Sequence, residues 1–462
     1  MAFTYDDAKA LLDGQGQGHV LAFWAQLSEH ERTSLLAQIR SLDMATIRSM
    51  GELLKAKVQA AGALPMEPAP VVVPDAAIER AGRAEGESAL RAGKVGVLMV
   101  AGGQGSRLGY EGPKGVFPIG PVSGAPLFDV HCRKILALEH RFRTEVPFYI
   151  MTSETNDADT RSFFAENDCF GLVPGRVTFF KQGMWPAMDA AGRLILEKPG
   201  RLFMSPDGHG GILSALKQSG AMDAMAKRGI ETLFYFQVDN PLVEVADPVF
   251  IGLHRRRNAD VSVKVCAKRD PDEGLGVVVK RGEKFAVVEY TELSREQKHE
   301  RTRDGNLKFR YGSVAIHVFS LEFLRKEANA GLPIHVAHKK VPYCAGDGRV
   351  VKPDAPNAFK FERFIFDVLP DAQTVLNIAF RREDEFSPVK NATGPDSPET
   401  TRHDMIRKAA RMLESAGVSV PRGETGDPMW KIEIDPAYAL DASDLRSKLP
   451  PGFTIERDTL LK

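Results

Sequence analysis

Residues 97–115 read VLMVAGGQGSRLGYEGPKG: an apolar run, three glycines within four residues, then an arginine, a proline and a lysine. The apolar run suits a strand buried on both faces, and a glycine-rich turn after such a strand lets backbone amides approach phosphate oxygens closely. Three kinds of phosphate loop compete for the pattern. A P-loop needs two glycines separated by four residues and then Lys followed by Ser or Thr, whereas Lys114 stands between Pro113 and Gly115. A dinucleotide fingerprint needs a third glycine where this chain has Leu108. It also needs an acid ending a second strand about 20 residues on, where Asp129 falls in a helical pattern instead. What remains is a loop in which Gly102, Gly103 and Gly105 bring backbone amides to the ligand, while Arg107 and Lys114 supply the charge a triphosphate needs.

Outward from this loop, short apolar runs alternate with amphipathic stretches. VGVLMVA, PFYIMTS, VTFFK and ETLFYFQVD read as strands; LFDVHCRKILALEH, ETNDADTRSFFAEN and PVFIGLHRRR read as helices. Such alternation specifies an α/β fold, a mostly parallel sheet with helices on both faces. GVVVKRGEKFAVVEY interrupts it with two β-rich runs around a Gly-containing turn, an antiparallel hairpin of the kind that covers a ligand. Nearer the N-terminus, Ile47, Met50, Leu54 and Val58 recur at helical spacing, and residues 33–49 carry similar apolar punctuation. The prolines of ALPMEPAPVVVP, which ends at Pro74, then impose extended chain, either a linker or a strap over the core surface. NATGPDSPETT is a polar connector, and MWKIEID with GFTIERDTLLK makes a small β-containing cap. The expected division is an N-terminal helical region over 1–75, a catalytic domain over 76–400 and a small C-terminal domain over 401–462.

Charge narrows the function. Lysine plus arginine and aspartate plus glutamate each number 61 in 462 residues, so there is no global basic field for nucleic acid or an anionic membrane surface. The opening MAFTYDDAKALLDG is acidic where a secretory leader would be basic, and no later apolar run is long enough to span a bilayer, so a cytoplasmic small-molecule enzyme is expected. Cys132, Cys169, Cys266 and Cys344 stand singly, without the paired spacing of a zinc site or disulfide framework. Nothing in the patterning specifies an oligomeric state.

Beyond the loop, a series of further motifs runs in order: KQGMWP, SPDGHGG, QVDNPLVEVADPVFIG, EGLGVVV, VVEYTELS, HVAHKKVPY, KFERFIFD and REDEFSPVKNA. With AGGQGSRLG and PKG they make residues 95–391 resemble the UDP-sugar pyrophosphorylase family, especially its eukaryotic-type UDP-N-acetylglucosamine pyrophosphorylase branch. The resemblance implies a Rossmann-like, GT-A-like nucleotidyltransferase that joins UTP to a sugar 1-phosphate, releasing pyrophosphate with the help of Mg²⁺.

Such a reaction needs no catalytic base, because a phosphate monoester has a second pKa of about 6 and is largely dianionic at neutral pH. The protein must hold two polyanions in line and offset charge on the departing pyrophosphate. By the family's pattern, Arg107 and Lys114 embrace the triphosphate, Lys390 reaches the reacting phosphates, and Lys360 matches a substrate-contacting position. Asp239 ends the strand LFYFQVD, where carboxylates of open α/β sheets point into the ligand crevice. It suits Mg²⁺, which commonly takes one or two carboxylates plus substrate phosphates. Capping of the next helix by Asp239 or Asn240 is the competing reading.

Gln182 matches the family's uracil-reading glutamine, whose amide both donates and accepts. Gly208 would let main chain approach base or ribose, and Glu289 and Tyr290 resemble the hydroxyl-binding pair of the sugar side. Two positions depart from the branch: His209 stands where asparagine is usual and is favoured instead in UDP-glucose pyrophosphorylases, and Ser313 also replaces an asparagine. The departures keep a glucose-specific or broad-specificity UDP-sugar pyrophosphorylase open as an alternative. A non-catalytic nucleotide-sugar binding protein is the alternative of another class, opposed by intact Arg107, Lys114, Asp239 and Lys390.

Overall fold

The computed structural model describes residues 3–55 and 65–462. They fall into two compact units, one gathering residues 3–55, Gln182–Ser214 and Gly331–Asp367, the other Pro65–Lys181, Ala215–Ala330 and Val368–Lys462.

The first unit opens with helices α1 (Tyr5–Asp13), α2 (Glu29–Ser41) and α3 (Met44–Lys55). Capping boxes start the first two, Thr4 with Asp7 and Ser28 with Glu31, each satisfying donors that a helix start leaves open. Extended backbone at Leu42 (φ −73°, ψ 128°) separates α2 from α3 within the stretch read as one helical pattern. Val58 lies outside the described residues. Ala8, Leu12, Leu35, Ile39, Ile47 and Met50 share one core with Met188, Leu194, Leu196, Leu202 and Phe361. This grouping is discontinuous where the sequence suggested three consecutive blocks. The reason is burial: amphipathic helices hide their stripes only against partners, and here those partners come from far along the chain.

The second unit is built on a ten-stranded sheet. Its strands are β1 (Met66–Pro68), β2 (Val95–Val100), β3 (Phe148–Thr152), β4 (Val177–Lys181), β5 (Thr232–Gln237), β6 (Val261–Ala267), β7 (Val277–Arg281), β8 (Lys284–Val288), β9 (Tyr311–Ser320) and β10 (Val375–Ala379). The main path runs β1-β7-β9-β5-β2-β3-β4; β6 pairs with β9 and β10, and β8 with β7. The run β5-β2-β3-β4 is parallel, with Val97 opposite both Phe148 and Phe234. β7 and β8 form the expected antiparallel hairpin. The proline-rich strap is part of the sheet: β1 pairs antiparallel with β7, and Val72 bridges to Ile378 of β10. Prolines are tolerated there because an edge strand can leave N–H positions unpaired.

Helices α4 (Ala76–Arg91), α5 (Leu127–Phe142), α6 (Asp157–Glu166) and α7 (Pro248–Arg256) accompany the strands. α4 and α7 cross at backbone contact: a methyl on Gly252 would stand 1.8 Å from the Gly82 carbonyl oxygen, and one on Gly86 1.8 Å from that of Pro248. Towards the C-terminus, α8 (Pro398–Ser415) closes a small core of Ala410, Leu413, Ile432, Leu445 and Ile455 over parallel strands Ile432–Ile434 and Thr459–Leu461. Polar ties join this part to the rest of its unit: the Glu433 carboxylate accepts the Val122 and Ser123 N–H groups at 2.7 and 2.8 Å, and Arg141 pairs with Asp441 at 2.8 Å. All four cysteines are free. Among the described residues, no helix is long and apolar enough to cross a membrane.

Candidate active site

The glycine loop leaves β2 and folds back on itself through Gly105 N–H to Gly112 C=O (2.9 Å) and Lys114 N–H to Gly103 C=O (3.1 Å). The Asn156 amide pins the loop's start by donating to the Ala101 and Gly103 carbonyls. Among the described residues, the N–H groups of Gly102 and Gly103 make no hydrogen bond, which leaves them available to an anion. Arg107 is exposed in the short 3₁₀ turn Ser106–Leu108, with no ion pair among the described residues. Lys114 is folded inward, its Nζ 3.5 Å from Asp239 Oδ2, with both side chains largely buried.

Asp239 follows β5, the strand beside β2, so the acid and the glycine loop share the carboxyl end of the parallel run. The capping reading is settled by geometry. Asp247 caps α7, taking the Val249 N–H at 2.9 Å, while Asn240 donates to the Glu385 carbonyl (2.7 Å) and accepts the Ser387 N–H (3.1 Å). Val389 N–H donates to the Asp239 carbonyl at 2.8 Å, which tethers the residue before Lys390 to the main chain of the acid across 150 residues. The Lys390 ammonium lies 5.7 Å from the centre of the Phe386 ring.

Behind this cluster sits a residue the sequence reading passed over. His131 of α5 is fully buried, and its Nε2 donates to the Val238 carbonyl at 2.9 Å, bracing the residue before Asp239. Burial, with Lys134 adding to it, lowers the imidazole to about 3, so the ring is a neutral strut.

The sugar-side candidates gather around Gly276. Ser313 on β9 donates its N–H to the Gly276 carbonyl at 2.8 Å, and a methyl on Gly276 would come 3.3 Å from Glu289 Oε1. Tyr290, beside Glu289, is exposed, and its ring lies over Gly274. β9 bulges just past Ser313, with Ala315 at φ +57°, as bulges often do where a strand must re-aim side chains.

The remaining candidates lie in the other unit. Gln182 is buried, and its amide makes no hydrogen bond among the described residues. Gly208 has φ +82°, and a methyl there would stand 2.4 Å from the Arg363 carbonyl oxygen, so only glycine fits. His209 Nδ1 accepts the Ile365 N–H at 3.1 Å, and its ring stacks on Phe364 at 5.3 Å. Burial lowers it to about 4, so the neutral ring carries its proton on Nε2 and presents a donor there. Lys360 lies over the Phe203 ring at 4.9 Å, and burial lowers its amine.

Two further residues organise this region and were not picked out from the sequence. Asp207 is buried against Gly183 and Gly211, where methyls would stand 2.5 and 2.0 Å from its carboxylate oxygens. It thus wedges together the turns that carry Gln182 and Gly208. Its Oδ1 has no hydrogen-bond partner among the described residues, and burial pushes the carboxyl up to about 7 against the pull of Arg363. Arg363 in turn lies over Trp185 at 4.5 Å. Each stands inside a motif already quoted, SPDGHGG, KFERFIFD and KQGMWP, and the available signal was a charged residue beside a glycine, Asp207 before Gly208, or among aromatics, Arg363 before Phe364.

Among the described residues, one other acidic group could hold an ion by proximity: Glu244, Asp247 and Glu385. Lys264 already serves it, with its Nζ 2.8 Å from Asp247 Oδ2 and bonded to both Glu385 oxygens. Asp239 stands outside that group.

The chain is similar to known proteins over most of its length. Residues 52–396 match the family described as UTP–glucose-1-phosphate uridylyltransferase. The human UDP-N-acetylhexosamine pyrophosphorylase-like protein 1 is 36% identical over 95% of this chain and 94% of its own length. The UDP-N-acetylglucosamine pyrophosphorylase of Saccharomyces cerevisiae is 34% identical over 90% and 93%. A crystal structure of the uridine diphosphate N-acetylglucosamine pyrophosphorylase from Trypanosoma brucei superposes with a TM-score of 0.84 at 29% identity, covering 99% of this chain and 98% of that one.

Proposed function

The chain belongs to the UTP–glucose-1-phosphate uridylyltransferase family, and we propose that it joins UTP to N-acetylglucosamine 1-phosphate, releasing pyrophosphate, with glucose and galactose 1-phosphate as weaker substrates. The observation that carries the reading is the pairing of Lys114 with Asp239 at the end of the parallel strands, beneath a glycine loop with free amides.

The sugar phosphate is its own nucleophile, so the protein's work is alignment and charge. Arg107, Lys114 and Lys390 are the cations for the two polyanions. Asp239 is the residue that would hold Mg²⁺. The donor fits, being a hard carboxylate oxygen beside which a cation, the Lys114 ammonium, already rests at 3.5 Å. Bound there, the metal would offset phosphate charge.

Gln182 pairs with uracil, Gly208 lets main chain reach base or ribose, and Lys360 is held for substrate contact. Glu289 and Tyr290 bind ring hydroxyls. Ser313, shorter than the asparagine usual in the branch, leaves the acetamido carbon less strictly read, and His209 is the residue favoured in UDP-glucose pyrophosphorylases; each supports the wider sugar range. The N-acetylated sugar in the names of the relatives supports the first choice among them.

The test is a panel of sugar 1-phosphates with UTP or CTP and Mg²⁺, following pyrophosphate release. The N-acetylated substrate is expected to give the highest kcat/KM. UTP should exceed CTP by about 5- to 160-fold, since a mismatched hydrogen bond costs about 1–3 kcal/mol in a desolvated pocket. Turnover of glucose 1-phosphate alone would overturn the sugar assignment, and equal use of CTP would remove Gln182 from base reading.

A further inference from the structure

A lysine ammonium is among the costliest groups to bury, and Lys264 on β6 is 2% exposed. Burial opposes its charge, yet the carboxylates of Asp247 and then Glu385 outweigh burial and keep it protonated. The rings of Phe250 and Phe380 close over the ammonium at 5.3 and 5.9 Å. Neither partner is a bystander in the chain. Asp247 ends the loop that begins at Asp239, and Glu385 begins the segment that ends at Lys390.

The same two segments are sewn together by further bonds. Asn240 reaches the Glu385 carbonyl, Ser387 N–H reaches Asn240, Glu244 N–H reaches Glu385 Oε2 at 3.4 Å, and Val389 N–H reaches the Asp239 carbonyl. Two more lysines hold the loop from other sides. Lys134 donates to the Pro241 and Val243 carbonyls, and Lys408 to those of Leu242 (3.1 Å) and Asp384 (2.5 Å).

We propose that Lys264 is a positioning residue for uridylyl transfer: its buried ammonium, held between Asp247 and Glu385, locks the Asp239 loop to the Lys390 segment so that acid and lysine meet the phosphates in one fixed arrangement. It touches no reacting atom. An apolar side chain could fill the same space, but it would set neither the direction nor the spacing of two carboxylates, whereas an ammonium shared between them sets both. The inference rests on the uridylyltransferase reading. It predicts a defect of alignment, in which substrates still bind and the chemical step fails.

The decisive comparison sets Glu385→Gln and Asp247→Asn against a destabilised control far from the ion pair, Leu445→Ala in the small C-terminal core. Each of the first two neutralises one anchor of Lys264, Glu385 on the segment leading to Lys390 and Asp247 on the loop from Asp239. Expected for both is a fall in kcat of at least tenfold, with KM for both substrates within twofold of wild type and partial rescue by Glu385→Asp. Leu445→Ala, at a similar loss of Tm, should keep kcat within threefold. A kcat loss in that control equal to those of the ion-pair variants would reduce Lys264 to a structural ion pair and overturn the proposal, as would wild-type kcat in Glu385→Gln or Asp247→Asn.

Should Glu385→Gln fail to fold, Lys264→Met with Glu385→Met replaces the pair by apolar bulk. Wild-type kcat in that folded double variant refutes positioning, and a selective kcat loss supports it. Wild-type enzyme in the same assay scores the uridylyltransferase reading separately, since that reading fails only if wild type itself releases no pyrophosphate.

Discussion

Replacing Asp207 by asparagine should change how stability depends on pH. Burial holds this carboxyl near 7, against 3.8 in an exposed chain. Between those values the folded protein keeps a proton that the unfolded chain has released. The sign follows from linkage: a folded pKa raised above the unfolded one gives stability that is complete below about 4 and is lost as pH rises through about 7. From pH 4.5 to the folded pKa near 7 is about 2.5 units, and at about 1.4 kcal/mol per unit the loss comes to about 3 kcal/mol. Asparagine does not titrate. Its buried amide adds a cost that is the same at every pH, so wild type minus variant should drift by about 3 kcal/mol in the variant's favour between pH 4.5 and 8.

Urea unfolding at half-unit pH steps, followed by tryptophan fluorescence, measures the drift. Trp185 lies under Arg363 in the same unit as Asp207 and should report it. Parallel stability curves for the two proteins would refute the argument, because they would mean that Asp207 ionises freely in the folded state and that its burial is relieved by solvent.

Other substitutions probe the remaining elements. Lys390→Ala should lower kcat about 100-fold or more, the usual cost of losing a preorganised charge on a transition state, with an unchanged circular dichroism spectrum; near-wild-type turnover would remove the lysine from the reaction. Asp239→Asn should shift the Mg²⁺ titration of activity to much higher concentration, since an amide is a poorer ligand for a hard cation, and an unmoved titration would exclude Asp239 as the ligand. Ser313→Asn should raise the ratio of kcat/KM for N-acetylglucosamine 1-phosphate over glucose 1-phosphate, and an unchanged ratio would take Ser313 out of sugar discrimination. Gly252→Ala should cost about 3 kcal/mol, the top of the overpacking range, because the added methyl meets backbone of α4; thermal unfolding at the wild-type midpoint would show that the helices separate freely.

How much could be read without coordinates depended on whether the signal was local. The strand VLMVA, the glycine turn after it, the helix over Leu127–Phe142 and the β7–β8 hairpin are written in short windows, because burial period, glycine placement and turn chemistry act between near neighbours. The family resemblance likewise rests on local motifs that the comparisons bear out. Charge balance and single cysteines needed no folding at all.

The tertiary structure decided what depends on partners distant in sequence. Residues 1–75 read as a helical region of their own, yet the apolar stripes of the helices within 3–55 close a core with Met188 and Phe361, and no local window reveals which far segment will cover a stripe. Which residue caps the helix after Asp239 was decided only by the fold, which puts Asp247 at the start of α7. Lys264, His131 and Asp207 look in the sequence like an ordinary strand lysine, helix histidine and turn aspartate. What makes them consequential is burial, and the energy of a buried charge or an unpaired carboxyl is set by everything packed around it, which only the folded chain brings together.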